Sequence, residues 1–167
     1  MIIAEIGWNF LGDISLAKKM IKSAFEQGCK FVKFQLWDPK FLKPGPWDQD
    51  GRREIYDKAY LNFDKFNELY IYSNSLNIKC FASVFNEHEY NKLLKVSNSI
   101  IKIPSMEAYD HKLIQKSLSD FELVILSTGA LKKQELEGLK KYSKYENLIV
   151  MHCVSSYPLK YDNFNFE

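Results

Sequence analysis

The chain has 167 residues, 46% of them hydrophobic, with 26% charged and a formal net charge of +2. That length supports one domain with a real core, and the near-balanced charge, without a long basic stripe, argues against a nucleic-acid partner. No run approaches the roughly 18 apolar residues of a membrane helix, and "MIIAEIGW" lacks the basic start and long apolar stretch of a signal peptide; a cytoplasmic protein is expected.

Three cysteines, Cys29, Cys80 and Cys153, are widely spaced. An odd count without close spacing suits free thiols in a reducing compartment rather than disulfides or zinc. The twelve Phe and ten Tyr are spread through apolar periodic segments, which marks them as core rather than as a base-stacking surface.

"MIIAEI" (1–6) reads as a first strand. "GDISLAKKMIKSAFEQGC" then carries Leu16, Ala17, Met20, Ile21 and Ala24 at helical spacing, with Asp13 as N-cap and Gly28 closing the helix. "KFVKFQLW" (30–37) is a second strand. Residues 38–61 hold three of the five prolines and form a long loop, with a short helical piece near 52–58. Long loops inside compact domains are often functional. A helix over 62–77 turns Phe66, Leu69 and Tyr70 inward. Strands at 78–83, 99–105, 122–129 and 147–153 alternate with helices at 86–97, 110–119 and 132–144.

Six strands alternating with helices imply right-handed crossovers and an α/β fold with a parallel sheet. Two architectures fit, an open doubly wound sheet or part of a (β/α)₈ barrel. A whole barrel needs about 250 residues, so length favours the open sheet. "EIGWNFLGD" is not GxGxxG, so a dinucleotide fingerprint is absent.

In parallel α/β folds, ligands gather at the carboxyl ends of strands. Read that way, the first strand offers Glu5 and Asn9, and the second Lys33 and Gln35. The third offers Ser83 and Asn86, and the fourth Lys102, Ser105 and Glu107. The fifth offers Ser127 and Thr128, and the sixth His152, Ser155, Ser156 and Tyr157. Lys33 and Lys102 each interrupt an otherwise apolar strand. A buried ammonium is costly unless it meets an anion, so two lysines among hydroxyls suit a phosphate or carboxylate ligand. Glu5 and Glu107 suit general acid–base work or a sugar hydroxyl. The competing arrangement has the lysines reaching the rim and pairing with those glutamates. His88 and His111 read as solvated. His152, alone in an apolar strand, reads as a core histidine rather than a metal ligand. No GxSxG elbow supports a serine triad.

At these residues the chain resembles a known family. "IIAEIGWNFLGDISLAKKMI" looks like the opening of the sialic acid synthases, whose usual pattern is IAEIGxNHxGD. "VKFQ", "IKIPSMEA", "LSTG" and "HCVSSYPL" match the family's later blocks in the same order. The resemblance covers essentially the whole chain. It implies a (β/α)₈ TIM-barrel-like fold, here incomplete with about six βα units, forming one partial barrel domain over residues 1–167. The implied reaction condenses phosphoenolpyruvate with an N-acylated amino sugar to a nonulosonic acid, with Mn2+ or Mg2+ assisting.

Carried over by motif, Lys33, Ser83, Lys102, Ser105 and Ser155 would hold phosphoenolpyruvate. Ser127 and Tyr157 would line the same pocket, with Asn9 and Gln35 among the residues binding phosphoenolpyruvate or the sugar. Glu5 would sit by the reacting carbons, and Glu107 would bind the substrates. The chain departs from the pattern at Phe10, the usual His, which removes a polar group near the sugar. It departs also at Ser83, the usual Thr, at Ser155, the usual Asn, and at Met106, the usual Gly of SGE, where Met adds bulk at a tight turn. The metal-ligand histidines implied by the resemblance lie in SDH- and ERHF-like blocks, which residues 1–167 do not contain. The family's C-terminal antifreeze-like domain is likewise outside them. No metal ligand is therefore assigned in this chain, and a homo-oligomer or a complementing chain is expected. The alternatives to a synthase are a non-catalytic module binding phosphoenolpyruvate or a sugar phosphate, and a Schiff-base aldolase using a buried lysine.

Overall fold

The computed structural model describes residues 1–156 and 158–163. The described chain forms two compact units, Met1–Ser97 and Asn98–Glu167.

The first unit runs β1 (Ile3–Gly7), α1 (Ile14–Glu26), β2 (Phe31–Leu36), α2 (Arg52–Ala59), α3 (Phe63–Ser75), β3 (Lys79–Val84) and α4 (Glu87–Val96). Helices α1, α3 and α4 begin where short polar side chains can satisfy the first free N–H groups. Asp13 accepts from Leu16 N, Asn62 from Lys65 N, and Asn86 from Glu89 N. α1 ends as expected: Gly28 follows it at φ +84°, a left-handed position that glycine takes without a Cβ penalty. The strands pair in parallel, β1 with β2 and β2 with β3. Phe10, Phe34 and Phe66 pack edge to face in series, with ring centroids 5.8 and 6.5 Å apart. All three are fully buried, and each contributes about 1.5–3 kcal/mol by leaving water.

The second unit runs β4 (Ile100–Ile103), α5 (His111–Asp120), β5 (Leu123–Ser127), α6 (Lys133–Gly138) and β6 (Leu148–Met151). Asp110 caps α5 by accepting from Lys112 N and Leu113 N. β4 pairs with β5 and β5 with β6, again in parallel. Asn147 ties the start of β6 to the end of α5, donating Nδ2 to the carbonyls of Leu118 and Phe121. The helix expected over 132–144 is broken: α6 gives way to a 3₁₀ turn, Leu139–Tyr142, which buries Leu139 and Tyr142.

β6 differs from the other strands. β2 to β5 are largely buried on both faces, as parallel strands between helices should be, but Ile149, Val150 and Met151 are 39%, 50% and 36% exposed. His152, expected in the core of this strand, instead follows its end and is exposed. His111 also differs from expectation. It is half-buried, with Nδ1 3.0 Å from the Tyr142 hydroxyl.

Candidate functional site

Register decides which side chains share a face. Successive strand residues alternate faces, and parallel partners in register point the same way. Glu5 pairs with Lys33, Lys33 with Phe81, and Gln35 with Ser83. Glu5, Lys33, Gln35 and Ser83 therefore share one face in the first unit, while Val32, Phe34, Cys80 and Ala82 occupy the other. The β1–β2 register shifts between Glu5 and Gly7. That irregularity, with Gly7 at φ +55°, turns the chain immediately after Glu5.

Lys33 is 4% exposed, and its Nζ lies 2.6 Å from Glu5 Oε2 and 3.0 Å from Ser83 Oγ. Burial pulls the ammonium's pKa below its ordinary value, and the Glu5 carboxylate opposes that pull. Lys33 therefore does not reach a solvated rim. It is a buried donor held by one carboxylate and one hydroxyl.

Aromatic side chains follow the ends of the same three strands. Trp8 lies 5.6 Å from Trp37 and 4.5 Å from Tyr56 between ring centroids, and Trp37 lies 4.7 Å from Phe85. Tyr56, from α2, shows what the long loop contributes: a ring that closes this cluster. Nothing in the spacing of these residues announced it. Phe10 takes no part, being wholly buried against Phe34. Its substitution for a polar residue extends the core.

In the second unit, Lys102 pairs with Ile125 and Ser127 with Met151, so Lys102 and Ser127 share a face. Ser127 is buried and Lys102 half-buried. Ser105 and Glu107 lie on a 3₁₀ turn after β4. Met106 between them is 49% exposed, so its bulk points away from the turn. Gly129, after β5, joins two of the expected residues: its N–H donates to Ser105 Oγ at 3.1 Å, and its carbonyl accepts from Ser155 Oγ at 2.9 Å. Thr128 Oγ1 donates to the Met151 carbonyl, fastening the same exit to β6. The "LSTG" block was visible as a strand end, but the bridging role of its glycine was not. Asn9 is exposed. Tyr157 lies outside the described residues.

A second polar group lies away from the strand faces. Lys92, 7% exposed on α4, donates to the Leu61 carbonyl at 3.1 Å and lies 3.0 and 2.8 Å from the two oxygens of Glu89, which is fully buried. Burial raises the Glu89 pKa, with Lys92 opposing. Tyr60, whose ring lies 4.8 Å from Lys92 Nζ, is pushed up to about 12 by burial and by the neighbouring Asp38. Ligand atoms of Asp38, His88 and Glu89 lie within 4.8 Å of one another. One imidazole and two carboxylates could in principle suit a divalent ion. The Lys92 ammonium, however, already holds both Glu89 oxygens, so these residues do not fit a divalent cation.

The NeuB family model matches residues 20–167. The chain is 29% identical over 183 residues to N,N'-diacetyllegionaminic acid synthase of Campylobacter jejuni, covering 100% of this chain and 55% of that protein. It is 33% identical over 173 residues to N-acetylneuraminate-9-phosphate synthase of Drosophila melanogaster, covering 94% and 46%. Among solved structures, N-acetylneuraminic acid (sialic acid) synthetase from Leptospira borgpetersenii, crystallised with citrate, superposes with a TM-score of 0.83 at 29% identity, over 98% of this chain and 57% of that one. The chain spans about half the length of the curated relatives it matches. With these likenesses, the six parallel strands and their intervening helices belong to the (β/α)₈ TIM-barrel-like class that the motifs implied, not to an open doubly wound sheet.

Proposed function

The chain belongs to the NeuB family, and from that premise we propose that it serves a synthase condensing phosphoenolpyruvate with an N-acylated amino sugar. The observation that carries the reading is Lys33: a buried ammonium at a strand end, beside the Ser83 hydroxyl and the Glu5 carboxylate. A lysine kept from water is placed to receive a ligand anion in exchange for solvation.

In this reading Lys33 and Ser83 donate hydrogen bonds to phosphoenolpyruvate, and Lys102, Ser105 and Ser127 form the donor set contributed by the later strands. The third carbon of the enol attacks the sugar aldehyde, whose oxygen takes up a proton. Positive charge then develops at the second carbon, beside the carboxylate, until water adds there and phosphate leaves. Lys33 offsets charge on the dianion and holds the nucleophilic carbon in line. Glu5 has two tasks, keeping Lys33 charged and facing the reacting carbons, and Glu107 takes a substrate hydroxyl. Gln35 and Asn9 supply amide groups to the sugar. Where the reaction uses Mn2+ or Mg2+, which would polarise the sugar carbonyl, its donors come from elsewhere than the Asp38–His88–Glu89 group.

Calorimetric titration with phosphoenolpyruvate tests the reading. Saturable binding is expected, weakened about ten- to hundredfold in Lys33→Ala, the value of a lost charge-assisted hydrogen bond. Absence of saturable binding, or equal binding by the variant, defeats it.

A further inference from the structure

The two donors at the strand ends of the first unit are shut away from solvent: Lys33 is 4% exposed and Ser83 is 2% exposed. An anion cannot bond to groups it cannot reach, so a neighbouring segment has to move before a ligand enters. The segment between β2 and α3 is suited to do so. Between Pro39 and Leu61 only Tyr56 and Ala59 are buried. The segment bonds largely to itself: the Gly45 N–H donates to Asp48 Oδ2 at 2.8 Å, Arg53 lies 3.4 Å from Asp48, and Arg52 lies 2.6 Å from Asp50. Its ends are joined. The Tyr60 hydroxyl donates to Asp38, and Lys92 on α4 holds the Leu61 carbonyl at 3.1 Å. A surface segment with joined ends, internal bonds and few buried side chains opens locally at lower free energy than the sheet beside it.

One large side chain fastens the segment down. Tyr56 is 6% exposed, and its ring lies 4.5 Å from Trp8 and 5.1 Å from Trp37 between centroids. Trp8 comes three residues after Glu5, and Trp37 two after Gln35, so Tyr56 docks at the ends of strands that carry the site. Gly12 gives α2 its seat: a Cβ there would lie 2.1 Å from the Lys58 carbonyl oxygen. The closed arrangement also carries a cost. Trp37 Nε1 is buried with no hydrogen-bond partner among the described residues, and an indole N–H finds water once the segment lifts.

From these contacts we propose that residues 39–59 are a flap, hinged where Asp38 meets Tyr60 and latched by Tyr56 on Trp8 and Trp37, which lifts to admit the ligand to Lys33 and Ser83. The latch stands on the geometry alone, whereas the gating role rests on the synthase reading above.

Hydrogen exchange followed by mass spectrometry on the 167-residue chain tests the latch. Tyr56→Ala should speed exchange of the α2 amides about tenfold or more and leave those of α1, α3 and α4 within about twofold. Alanine is the better helix former, so faster exchange in α2 reports the lost ring contact rather than a weakened helix. Tyr56→Phe keeps the ring and should exchange as wild type does. Unchanged α2 exchange in Tyr56→Ala, or a rise spread over α1, α3 and α4, overturns the flap. Stopped-flow mixing with phosphoenolpyruvate, followed by tryptophan fluorescence, tests the gate. Association should be about threefold faster or more in Tyr56→Ala, because a larger fraction of the chain is open. Equal or slower association overturns the gate and leaves the synthase reading standing. A wild-type chain that binds no phosphoenolpyruvate in calorimetry defeats the synthase reading and the gate with it, while the exchange pattern still decides the latch.

Discussion

Lys33 and Glu5 face each other across neighbouring parallel strands, Nζ to Oε2 at 2.6 Å, with the lysine side chain 6% exposed and the glutamate side chain 48% exposed. The pair is asymmetric: the cation is desolvated while its counter-ion still meets water. The lysine's protonation state therefore depends on the glutamate. Glu5→Gln removes the influence that raises the Lys33 pKa and leaves burial to act alone. The Lys33 pKa should fall, read by NMR titration of a 13C-labelled lysine side chain. An unchanged or higher value would show that Glu5 does not control it.

The same lysine sets a pH dependence of stability. Its folded pKa lies below the ordinary 10.5, so between those two values the unfolded chain binds more protons than the folded one. Stability from this group therefore rises with pH through that window. In urea melts, the advantage of wild type over Lys33→Met should grow as the pH rises toward the ordinary lysine value of 10.5. A shrinking advantage contradicts the sign.

On α4, removing one partner of a buried pair should cost more than removing both. Lys92→Met leaves the fully buried Glu89 carboxylate without its ammonium, and a loss of about 3–5 kcal/mol is expected in chemical denaturation. Adding Glu89→Leu should recover most of it. If the double variant is as unstable as the single one, the pair is not the source of the loss.

Gly129→Ala should destabilise by about 1–3 kcal/mol through overpacking, because the new methyl meets Ser155 Oγ and Cys153. Gly138→Ala is the control: no atom lies within 4 Å of a Cβ there. Thermal melts showing the two variants equally stable would count against close packing at Gly129.

Ser117 is fully buried in α5, and its Oγ has no hydrogen-bond partner among the described residues. An unsatisfied buried hydroxyl is a liability, and alanine is the better helix former. Ser117→Ala should stabilise the protein by about 1 kcal/mol, measured as a raised urea midpoint at constant m-value. A lowered midpoint would reveal a partner for the hydroxyl.

Several parts of this molecule were legible from residue order. The cap Asp13 is a local device, accepting from an N–H three residues ahead; Asn62, Asn86 and Asp110 cap in the same way but were not read as caps, and Asn86, expected at a strand-end site, caps α4 instead. The strands were visible because parallel strands buried on both faces are continuous apolar runs. Lys33 stood out because a charge within such a run must be accounted for. Its specific partners were not visible. Glu5 and Ser83 lie 28 and 50 residues away, and the β1–β2–β3 register selects them. Tyr56 was hidden in a loop without periodicity, and its contact with Trp8 forms only when the loop folds back.

Sequence alone thus determined the alternation of strand and helix, the polar residues at the strand ends and the family pattern, because period and spacing are properties of the chain itself. Tertiary structure alone decided which groups meet. It made Phe10 part of the core, uncovered β6 and His152, seated Lys92 on Glu89, and made Gly129 the bridge between Ser105 and Ser155. These outcomes depend on register and on sub-ångström clearances between segments distant in the chain, which short-range patterns do not encode.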